Sequence, residues 1–215
     1  SALAMDKVAS KKIFIKNKIL TPKFIIFKYN LDNIIFLKKE IKKKLKFPVV
    51  IKPINEGSSV DVYISTNQNL RSNLIKLKKY REILIEEFIP GREIQVAIMG
   101  DKKLGVIELK PKRKFYDYKA KYNANAKTQH IIPVNLKKNQ MNKLLEIALK
   151  AHKIIGCRGV TRSDFKFYNN KFYLLEINTQ PGMTSLSLVP EIARFNKISF
   201  IELIEWIIKD ASTNR

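Results

Sequence analysis

Cysteine and histidine are scarce in this sequence of 215 residues, which holds one cysteine and two histidines. A lone cysteine, Cys157, excludes an internal disulfide, which fits a reducing compartment and predicts a cytoplasmic protein. With only His130 and His152, neither zinc-finger spacing nor a Ser–His–Asp or Cys–His catalytic arrangement is available. Any catalysis by this chain must therefore depend on lysine, arginine, carboxylates and metal ions.

Long apolar runs are also missing. No run approaches the roughly 20 residues that span a bilayer, and Ser1 to Lys12 lacks the hydrophobic core of a signal peptide. The hydrophobic content of 45% is nevertheless that of a globular protein. We therefore expect a soluble chain with a sizeable core and no membrane partner.

Acidic residues are few, since 19 Asp and Glu stand against 42 Lys and Arg, for a formal net charge of +23. Such a charge fits a polyanionic partner, which leaves nucleic acid, a membrane surface or a phosphate-rich small molecule as candidates. The lysines are scattered over predicted helices, as in Lys38-Lys39 and Lys42-Lys43-Lys44, and this is typical of solvated faces. No RNA-binding aromatic signature accompanies them, so we expect no nucleic-acid partner.

The stretch from Gly159 to Pro190 carries most of the polar side chains that suggest chemistry. It alternates polar and apolar residues, turns at 168–170 and returns before a Pro-Gly loop, which predicts a β-hairpin. Since side chains alternate across a strand, we expect buried faces formed by Phe165 and Phe167 on one arm and by Tyr173, Leu175 and Ile177 on the other. The opposite face then carries Arg162, Asp164, Lys166, Glu176 and Asn178.

In this arrangement two carboxylates and an amide converge, those of Asp164, Glu176 and Asn178. Hard oxygen donors without Cys or His suit Mg²⁺, which completes its shell with water and nucleotide phosphates. A merely solvated polar face is the alternative explanation. Glu176, however, lies inside the apolar run Tyr-Leu-Leu-Glu-Ile, where a desolvated carboxylate needs a partner. The hairpin therefore predicts a metal–nucleotide site.

The shared site sets a condition on the register of the hairpin. Directly opposed residues must have numbers with an even sum, as Asp164 and Glu176 do, whereas a two-residue Asn169-Asn170 turn opposes Asp164 to Leu175. We therefore predict either a three-residue connection around 169–171, with an asparagine in the left-handed conformation, or a β-bulge further along the hairpin.

A second polar element lies upstream, where Lys52 ends a short buried strand and the loop from Asn55 to Ser59 follows. Gly and Ser allow backbone amides to approach phosphates closely, and a lysine beside them supplies a point charge. A Gly-Ser-Ser loop alone is more often only a turn. Pro90-Gly91 marks the predicted boundary between two α+β lobes, 1–90 and 91–215.

The remaining periodicity predicts the framework of both lobes. Helices are expected over Ala2 to Lys16, Leu31 to Leu45 and Lys137 to Ile155, and a strand over Val60 to Ile64. A final helix begins with a Ser199–Glu202 capping box and is expected to bury Phe200, Leu203, Ile204, Ile207 and Ile208. Another hairpin pairs Glu93–Met99 with Lys103–Leu109, and Phe115–Ala126 is expected to form a long loop that acts as a lid.

Together these motifs resemble the D-alanine:D-alanine ligase family of ATP-grasp enzymes. The likeness runs through Ser1 to Lys7, Val49 to Val60, Ile83 to Val96, Phe115 to Tyr122 and Gly156 to Pro190, which is nearly the whole chain. The segments Phe-Tyr-Asp-Tyr before Ala-Lys-Tyr and Pro-Gly-Met-Thr before Ser-Leu-Val-Pro are similar to this family in particular. The resemblance implies an α+β ATP-grasp fold with the nucleotide between two lobes.

The resemblance also implies a role for each matching residue. Lys7 and Lys52 would contact the nucleotide phosphates, and the adenine and ribose would meet Glu86, Phe88, Ile89 and Glu93. Lys121 would reach the γ-phosphate from the lid, and Ser58 and Tyr122 would join loop to lid over the substrate. Asp164, Glu176 and Asn178 match the ligands of Mg²⁺, with two ions expected and Mn²⁺ as an alternative. Arg162 would stabilise the anionic intermediate, while Ser187 and Leu188 would receive the second D-alanine.

Two departures from the family pattern bear on these roles. The family has glycine after Gly-Ser-Ser-Val, where this chain has Asp61, which adds negative charge near phosphates and tolerates left-handed geometry less easily than glycine. The chain also begins where we expect the family's N-terminal domain to have ended. That domain, or its separate chain, is therefore an expected partner, and a homodimer stays open.

Three functions remain open from the sequence. The first is an ATP-dependent ligase that joins two D-alanines through an acyl phosphate for peptidoglycan synthesis and needs the missing domain for turnover. The second is a truncated remnant that binds Mg-ATP without turnover. The third is a basic nucleic-acid-binding protein, for which affinity would fall steeply with salt.

Overall fold

The computed structural model describes residues 1–110, 128–184 and 186–212, without the side chain of Asp32. The predicted lid over Phe115–Ala126, with Lys121 and Tyr122, lies outside the described residues. Two antiparallel sheets form the framework. The first has the strand order β1 (Phe24–Lys28), β4 (Glu82–Glu87), β2 (Val49–Pro53), β3 (Tyr63–Ser65), and the second has the order β7 (Gln129–Ile131), β6 (Lys102–Lys110), β5 (Arg92–Met99), β8 (Val160–Tyr168), β9 (Lys171–Asn178).

Seven α-helices surround these sheets in the described ranges. They are α1 (Ala2–Met5), α2 (Lys7–Lys16), α3 (Ile34–Lys44), α4 (Leu70–Lys76), α5 (Lys138–Ile154), α6 (Leu188–Phe195) and α7 (Phe200–Asp210). A 3₁₀ turn, Leu31–Asn33, precedes α3. Within the same ranges, none of the helices is long and apolar enough to cross a membrane.

The first sheet is covered by α3 and α4. The apolar positions of α3 recur at helical spacing, so Leu37 and Ile41 lie on one face and pack with Ile51 and Ile85 of the sheet. The other face of α3 carries Lys42, Lys43 and Lys44 in its last turn, where cations also oppose the negative end of the helix dipole. This cluster fixes β2 and β4 side by side, and both strands carry candidate site residues.

The second sheet has a core on each face. One face packs against α5 and α2, with Phe165 and Leu174 of β8 and β9 at its centre and Phe14 of α2 among its members. The other face packs against α6 and α7 through Ala97, Ile107 and neighbours. Glu93 and Asp164 lie on this same face as Ala97, because residues two apart along a strand share a face and Asp164 pairs with Gln95.

Several elements differ in detail from the expectations. The predicted first helix is divided at Asp6, whose side chain accepts hydrogen bonds from the amides of Val8 and Ala9 and so caps α2. The strand expected over Val60 to Ile64 begins only at Tyr63, because the residues before it form a turn. The capping box of Ser199 and Glu202 is confirmed.

The expected burial of the last helix is wrong for most of its apolar residues. Leu203 is buried in α7, whereas Phe200 and Ile208 are 50% and 67% exposed. Ile204 and Ile207 are only partly buried. The helix therefore contacts the sheet along a narrower stripe than its composition suggests.

The hairpin of β8 and β9 decides the geometry of the predicted metal site. Its turn has two residues, Asn169 and Asn170, both with positive φ, so the three-residue connection is wrong. The alternative prediction is confirmed, because a β-bulge shifts the register between Asp164 and Phe165. Phe165 pairs with Leu174, while Asp164 pairs with Glu176, so Leu175 is the extra residue.

The same bulge corrects the predicted burial of β9. Phe172, Leu174 and Ile177 are the buried side chains of this strand, instead of Tyr173, Leu175 and Ile177. The bulge inserts one residue between Leu174 and Ile177, so the period of two changes phase there. Leu175 and Glu176 consequently both face the cleft described below.

Candidate functional site

A cleft of about 110 Å³ lies between the two sheets and receives side chains from both. The first sheet contributes β2, β4 and the loop after β2, while the second sheet contributes β5, β8 and β9. Eight of the predicted site residues line it, namely Lys7, Lys52, Glu86, Phe88, Ile89, Glu93, Asp164 and Glu176. Residues separated by more than 160 positions in sequence are thus brought to one cavity.

A buried carboxylate, that of Glu86, organises the cations of the cleft. Its Oε1 lies 2.5 Å from Lys52 Nζ and its Oε2 lies 3.0 Å from Lys11 Nζ. Burial alone would raise the pKa of Glu86, but the charges of Lys11 and Lys52 outweigh it and lower the pKa to about 2. Glu86 is therefore ionised at neutral pH and holds Lys52 beside the loop.

Lys11 also belongs to this network, although it is not among the predicted site residues. It is fully buried, and its Nζ donates to Thr21 Oγ1 at 2.7 Å. Burial lowers its pKa to about 8, although the attraction of Glu86 opposes that shift. Its spacing of four from Lys7 places both on one face of α2, and that spacing was the available signal.

Lys7 links the start of α2 to the loop after β2. Its Nζ donates to the backbone oxygens of Ile54, at 3.4 Å, and of Glu56. It also lies 3.9 Å from Glu176 Oε2, across the cleft. Burial lowers the pKa of Lys7, with Glu176 acting in the opposite direction. This lysine is thus positioned between the loop and the predicted metal ligands.

The loop itself has an unusual backbone. Ser58, Ser59 and Asp61 all have φ between 51° and 60°, a region that residues other than glycine rarely adopt. Gly57 and Ser59 line the cleft. A Cβ built on Gly57 would meet no atom within 4 Å, so the structure leaves open space beside this glycine. The loop can therefore admit a ligand close to its backbone.

Asp61 takes the left-handed conformation, with a φ of 55°, although aspartate adopts it less easily than glycine. Its carboxylate accepts hydrogen bonds from Tyr63 and Tyr80 and pairs with Lys79. These partners lower the pKa of Asp61, with the hydrogen bond from Lys79 as the largest cause. The added negative charge is thus compensated locally.

The predicted metal ligands occupy neighbouring positions on β8 and β9. Asp164 is paired with Glu176, and Arg162 with Asn178. The Arg162 guanidinium donates to both oxygens of Asp164, at 2.7 and 2.9 Å, and Asn178 Nδ2 donates to Asp164 Oδ2 at 3.3 Å. Two carboxylates and an amide oxygen are a donor set that fits Mg²⁺. In the described part of the chain no group of three His, Cys, Asp or Glu side chains is placed to hold a metal ion.

Glu93 occupies the far end of this polar face. Its Oε2 accepts from Lys166 Nζ at 3.0 Å, which joins β5 to β8. The neighbouring Gln95 is buried and lies 3.4 Å from Glu93 Oε1 through its amide nitrogen. Glu93 is therefore held at the wall of the cleft by two partners.

Some predicted site residues lie apart from the cleft. Ser187 is the N-cap of α6 and bonds Thr184 through its Oγ, and Leu188 is buried in the first turn of that helix. Ser58 belongs to the loop but is not among the described residues that line the cavity. His152, expected to be structural, is buried against Thr161 Oγ1 at 2.8 Å.

Comparison with known proteins identifies relatives over almost the entire chain. The family profile described as "D-ala D-ala ligase C-terminus" matches residues 16–209. A D-alanine–D-alanine ligase of Pelagibacter ubique strain HTCC1062 is 70% identical over 215 residues, which cover 100% of this chain and 70% of that protein. The corresponding ligase of Wolbachia pipientis wMel is 44% identical, with 98% of this chain and 66% of that protein covered.

Solved structures of ligases also resemble this chain over nearly its whole length. A D-alanine–D-alanine ligase from Bacillus anthracis superposes with a TM-score of 0.82 at 33% identity, covering 97% of this chain and 67% of that one. Its complex with ATP gives a TM-score of 0.77 at 30% identity, with 97% and 66% covered. The VanG D-Ala:D-Ser ligase from Enterococcus faecalis gives 0.82 at 29% identity, with 97% and 62% covered. These ligases have the ATP-grasp fold, so the predicted fold class is confirmed.

Proposed function

Because this chain belongs to the D-alanine–D-alanine ligase family, we propose that its cleft binds ATP and that it contributes to the joining of two D-alanines in peptidoglycan precursor synthesis. The observation that carries the proposal is the convergence of Lys7 and Lys52 with the opposed carboxylates of Asp164 and Glu176 in one cleft. The relatives compared are all ligases, so the nucleic-acid-binding alternative has no support from them.

The nucleotide lies between the lobes, which we place at 1–90 and 91–215. Lys7, Lys52 and the amides of the loop after β2 contact the phosphates, where cations and backbone N–H groups stabilise negative charge. Glu86, Phe88 and Ile89 contact the adenine, and Glu93 contacts the ribose. The support for this assignment is that all five side chains line the one cleft, with Phe88 and Ile89 in the segment between β4 and β5 that joins the two sheets.

Asp164, Glu176 and Asn178 hold the metal, for which Mg²⁺ is preferred, with two ions and with Mn²⁺ as a substitute. When bound, the metal neutralises charge on the phosphates during transfer. Lys7, which lies 3.9 Å from Glu176, shares that neutralisation because it is close to both the loop and the metal ligands. Arg162 is adjacent to Asp164 and supplies the cation for the anionic intermediate.

The reaction has two steps. A carboxylate oxygen of one D-alanine attacks the γ-phosphorus of ATP, which forms an acyl phosphate and releases ADP. The amine of a second D-alanine then attacks the acyl carbon, loses a proton, and the tetrahedral intermediate expels phosphate to leave the dipeptide. Arg162 and the lysines of the cleft stabilise the oxyanions that develop in both steps.

The remaining roles rest on the family resemblance. Lys121 and Tyr122 act from the segment outside the described residues, with Ser58 of the loop as the partner of Tyr122. Ser187 and Leu188 receive the carboxylate of the second D-alanine at the start of α6, where the positive end of the helix dipole favours an anion.

A further partner follows from the lengths of the relatives. This chain matches 70% and 66% of the lengths of two curated ligases, so about a third of each has no counterpart here. We propose that turnover needs that remaining part, in the same chain or in a separate one, with a homodimer as a further arrangement. We also propose a cytoplasmic location, a reducing compartment that fits the single cysteine of the chain.

A phosphate-release assay tests the proposal. The chain is incubated with ATP, Mg²⁺ and D-alanine, with and without the unmatched part of the Pelagibacter relative, and the dipeptide is measured by mass spectrometry. We expect dipeptide and phosphate in equal amounts when that part is present. Phosphate release that does not depend on D-alanine, or dipeptide formation that Arg162→Ala leaves intact, would contradict the mechanism.

A further inference from the structure

The loop after β2 combines a strained backbone with a fixed side chain. Ser58, Ser59 and Asp61 have φ of 51°, 60° and 55°. Such conformations persist in residues other than glycine only where surrounding contacts hold them. Asp61 supplies such contacts, because its carboxylate binds side chains that lie outside the loop.

Three groups bind the Asp61 carboxylate. Tyr63 Oη donates to Oδ1 at 3.1 Å, Tyr80 Oη donates to Oδ2 at 2.8 Å, and Lys79 Nζ lies 2.9 Å from Oδ2. The two tyrosines pack against the hydrophobic cluster of the first sheet, so their hydroxyls are attached to the rigid part of the lobe. The carboxylate is thus tied to β3 and to the residues just before β4.

We propose that Asp61 is a positioning residue that holds the loop from Gly57 to Asp61 in its phosphate-binding conformation. The inference rests on the proposed function, because it assumes that the loop contacts phosphates. Asp61 acts through the backbone. Its hydrogen bonds with Tyr63 and Tyr80 fix the left-handed conformation of the loop, and this conformation determines the positions of Gly57 and Ser59 at the cleft. An ionised side chain suits this role because a carboxylate accepts all three bonds at once.

The clamp also explains how a carboxylate is accommodated so near a phosphate site. Lys79 and the two tyrosine hydroxyls donate hydrogen bonds to the Asp61 carboxylate and lower the pKa of Asp61. The charge of Asp61 is therefore compensated by groups outside the cleft. Lys79 contributes least to rigidity, since its side chain is 63% exposed and exposed ion pairs are weak. The tyrosines therefore carry the positioning.

Ligand binding separates a positioning role from a merely structural one. Calorimetry of wild type, Asp61→Ala and Asp61→Asn is performed with Mg-ATP and with adenosine, which lacks phosphates. We expect Asp61→Ala to bind Mg-ATP about tenfold more weakly and adenosine as well as wild type. Asp61→Asn should recover part of the loss, because asparagine tolerates a positive φ and its oxygen still accepts from one tyrosine. Equal weakening of both ligands, or none, would overturn the proposal.

Hydrogen exchange provides a readout that needs no ligand. The amides of 57–62 should exchange faster in Asp61→Ala and in the double variant Tyr63→Phe with Tyr80→Phe than in wild type. Asp101→Ala is the matched control, because Asp101 also pairs with a lysine but lies in a distant turn and is exposed. If the wild-type chain binds neither ligand, the proposed function fails, and these exchange rates alone decide whether Asp61 holds the loop. Unchanged exchange in both variants would overturn the clamp.

Discussion

Asp164 lies directly opposite Glu176 across the last two strands of the second sheet, although the turn that joins those strands has only two residues. Next to the turn, the residue numbers of each opposed pair have an odd sum, as those of Tyr168 and Lys171 do. The bulge at Leu175 changes the sum to an even number. Both carboxylates consequently face the cleft. One inserted residue therefore determines whether this hairpin can hold a metal ion between its arms.

Removal of either opposed carboxylate should weaken metal binding. In Asp164→Asn and Glu176→Gln the donor set of the hairpin loses one charge, so we expect the affinity for Mn²⁺, used as a probe in the presence of ATP, to fall at least about tenfold. Electron paramagnetic resonance measures the free ion. Glu205→Gln, on an exposed face of α7, is the control. Wild-type Mn²⁺ affinity in both hairpin variants would remove Asp164 and Glu176 from the metal site.

Gly57 offers a test of the loop that leaves the fold intact. Its Cβ position is open, so Gly57→Ala should keep the wild-type free energy of unfolding but bind Mg-ATP about tenfold more weakly, because the methyl group occupies space beside the phosphates. Gly91→Ala is the contrasting variant. A Cβ there would lie 2.4 Å from the backbone oxygen of Phe167 at a φ of 111°, so this variant should lose stability. Urea unfolding and calorimetry distinguish the two effects, and unchanged affinity in Gly57→Ala would argue against close approach of a ligand.

Replacement of Glu86 should leave two buried cations without a negatively charged partner. Glu86→Gln leaves Lys11 and Lys52 without their shared carboxylate, and loss of one partner of a buried ion pair costs about 3 kcal/mol. Adding Lys11→Met removes one of these two buried positive charges, so the double variant should recover part of the lost free energy of unfolding. Urea titration of the two variants provides the comparison. A double variant less stable than Glu86→Gln would contradict the network.

The pH dependence of stability should show the same network. The folded-state pKa of Glu86 is lowered to about 2, so its contribution is complete above its ordinary pKa of 4.5 and is lost as the pH falls toward 2. The difference in unfolding free energy between wild type and Glu86→Gln should therefore shrink over that window.

Lys11, with its pKa lowered to about 8, releases its proton first in the folded state, so stability should rise between pH 8 and 10.5. Lys11→Met should show a smaller rise, because only the lowered pKa of Lys7 still contributes to it.

Much of the framework follows from the sequence because its causes are local. The hairpin of β5 and β6, the helix α5 and the capping box at Ser199 each depend on periodicity or on residues three apart. The same holds for Lys52 at the end of β2, which precedes the loop. These elements need no knowledge of distant contacts, so they could be predicted.

Other features depend on contacts between distant segments. The bulge at Leu175 results from packing of Leu174 and Ile177 on one core, and periodicity alone placed Tyr173 and Leu175 there instead. Lys11 is one of many lysines in sequence, and only its position against Glu86 distinguishes it. The clamp on Asp61 joins residues 19 positions apart. Local sequence therefore predicts that aspartate is unfavourable where the family has glycine, and only the contact with Tyr80 accounts for it.

The central claim is that this chain binds Mg-ATP in the cleft between its sheets, and calorimetry tests it most directly. Wild type is titrated with Mg-ATP beside the double variant Lys52→Ala with Glu93→Ala, and beside Lys103→Ala with Glu146→Ala, a matched pair of opposite charges outside the cleft. Circular dichroism verifies that all three are folded. We predict one nucleotide per chain in wild type and in the control, and an affinity at least about 100-fold lower in the cleft variant. Equal affinity in the cleft variant and wild type would contradict the assignment of this cleft to ATP.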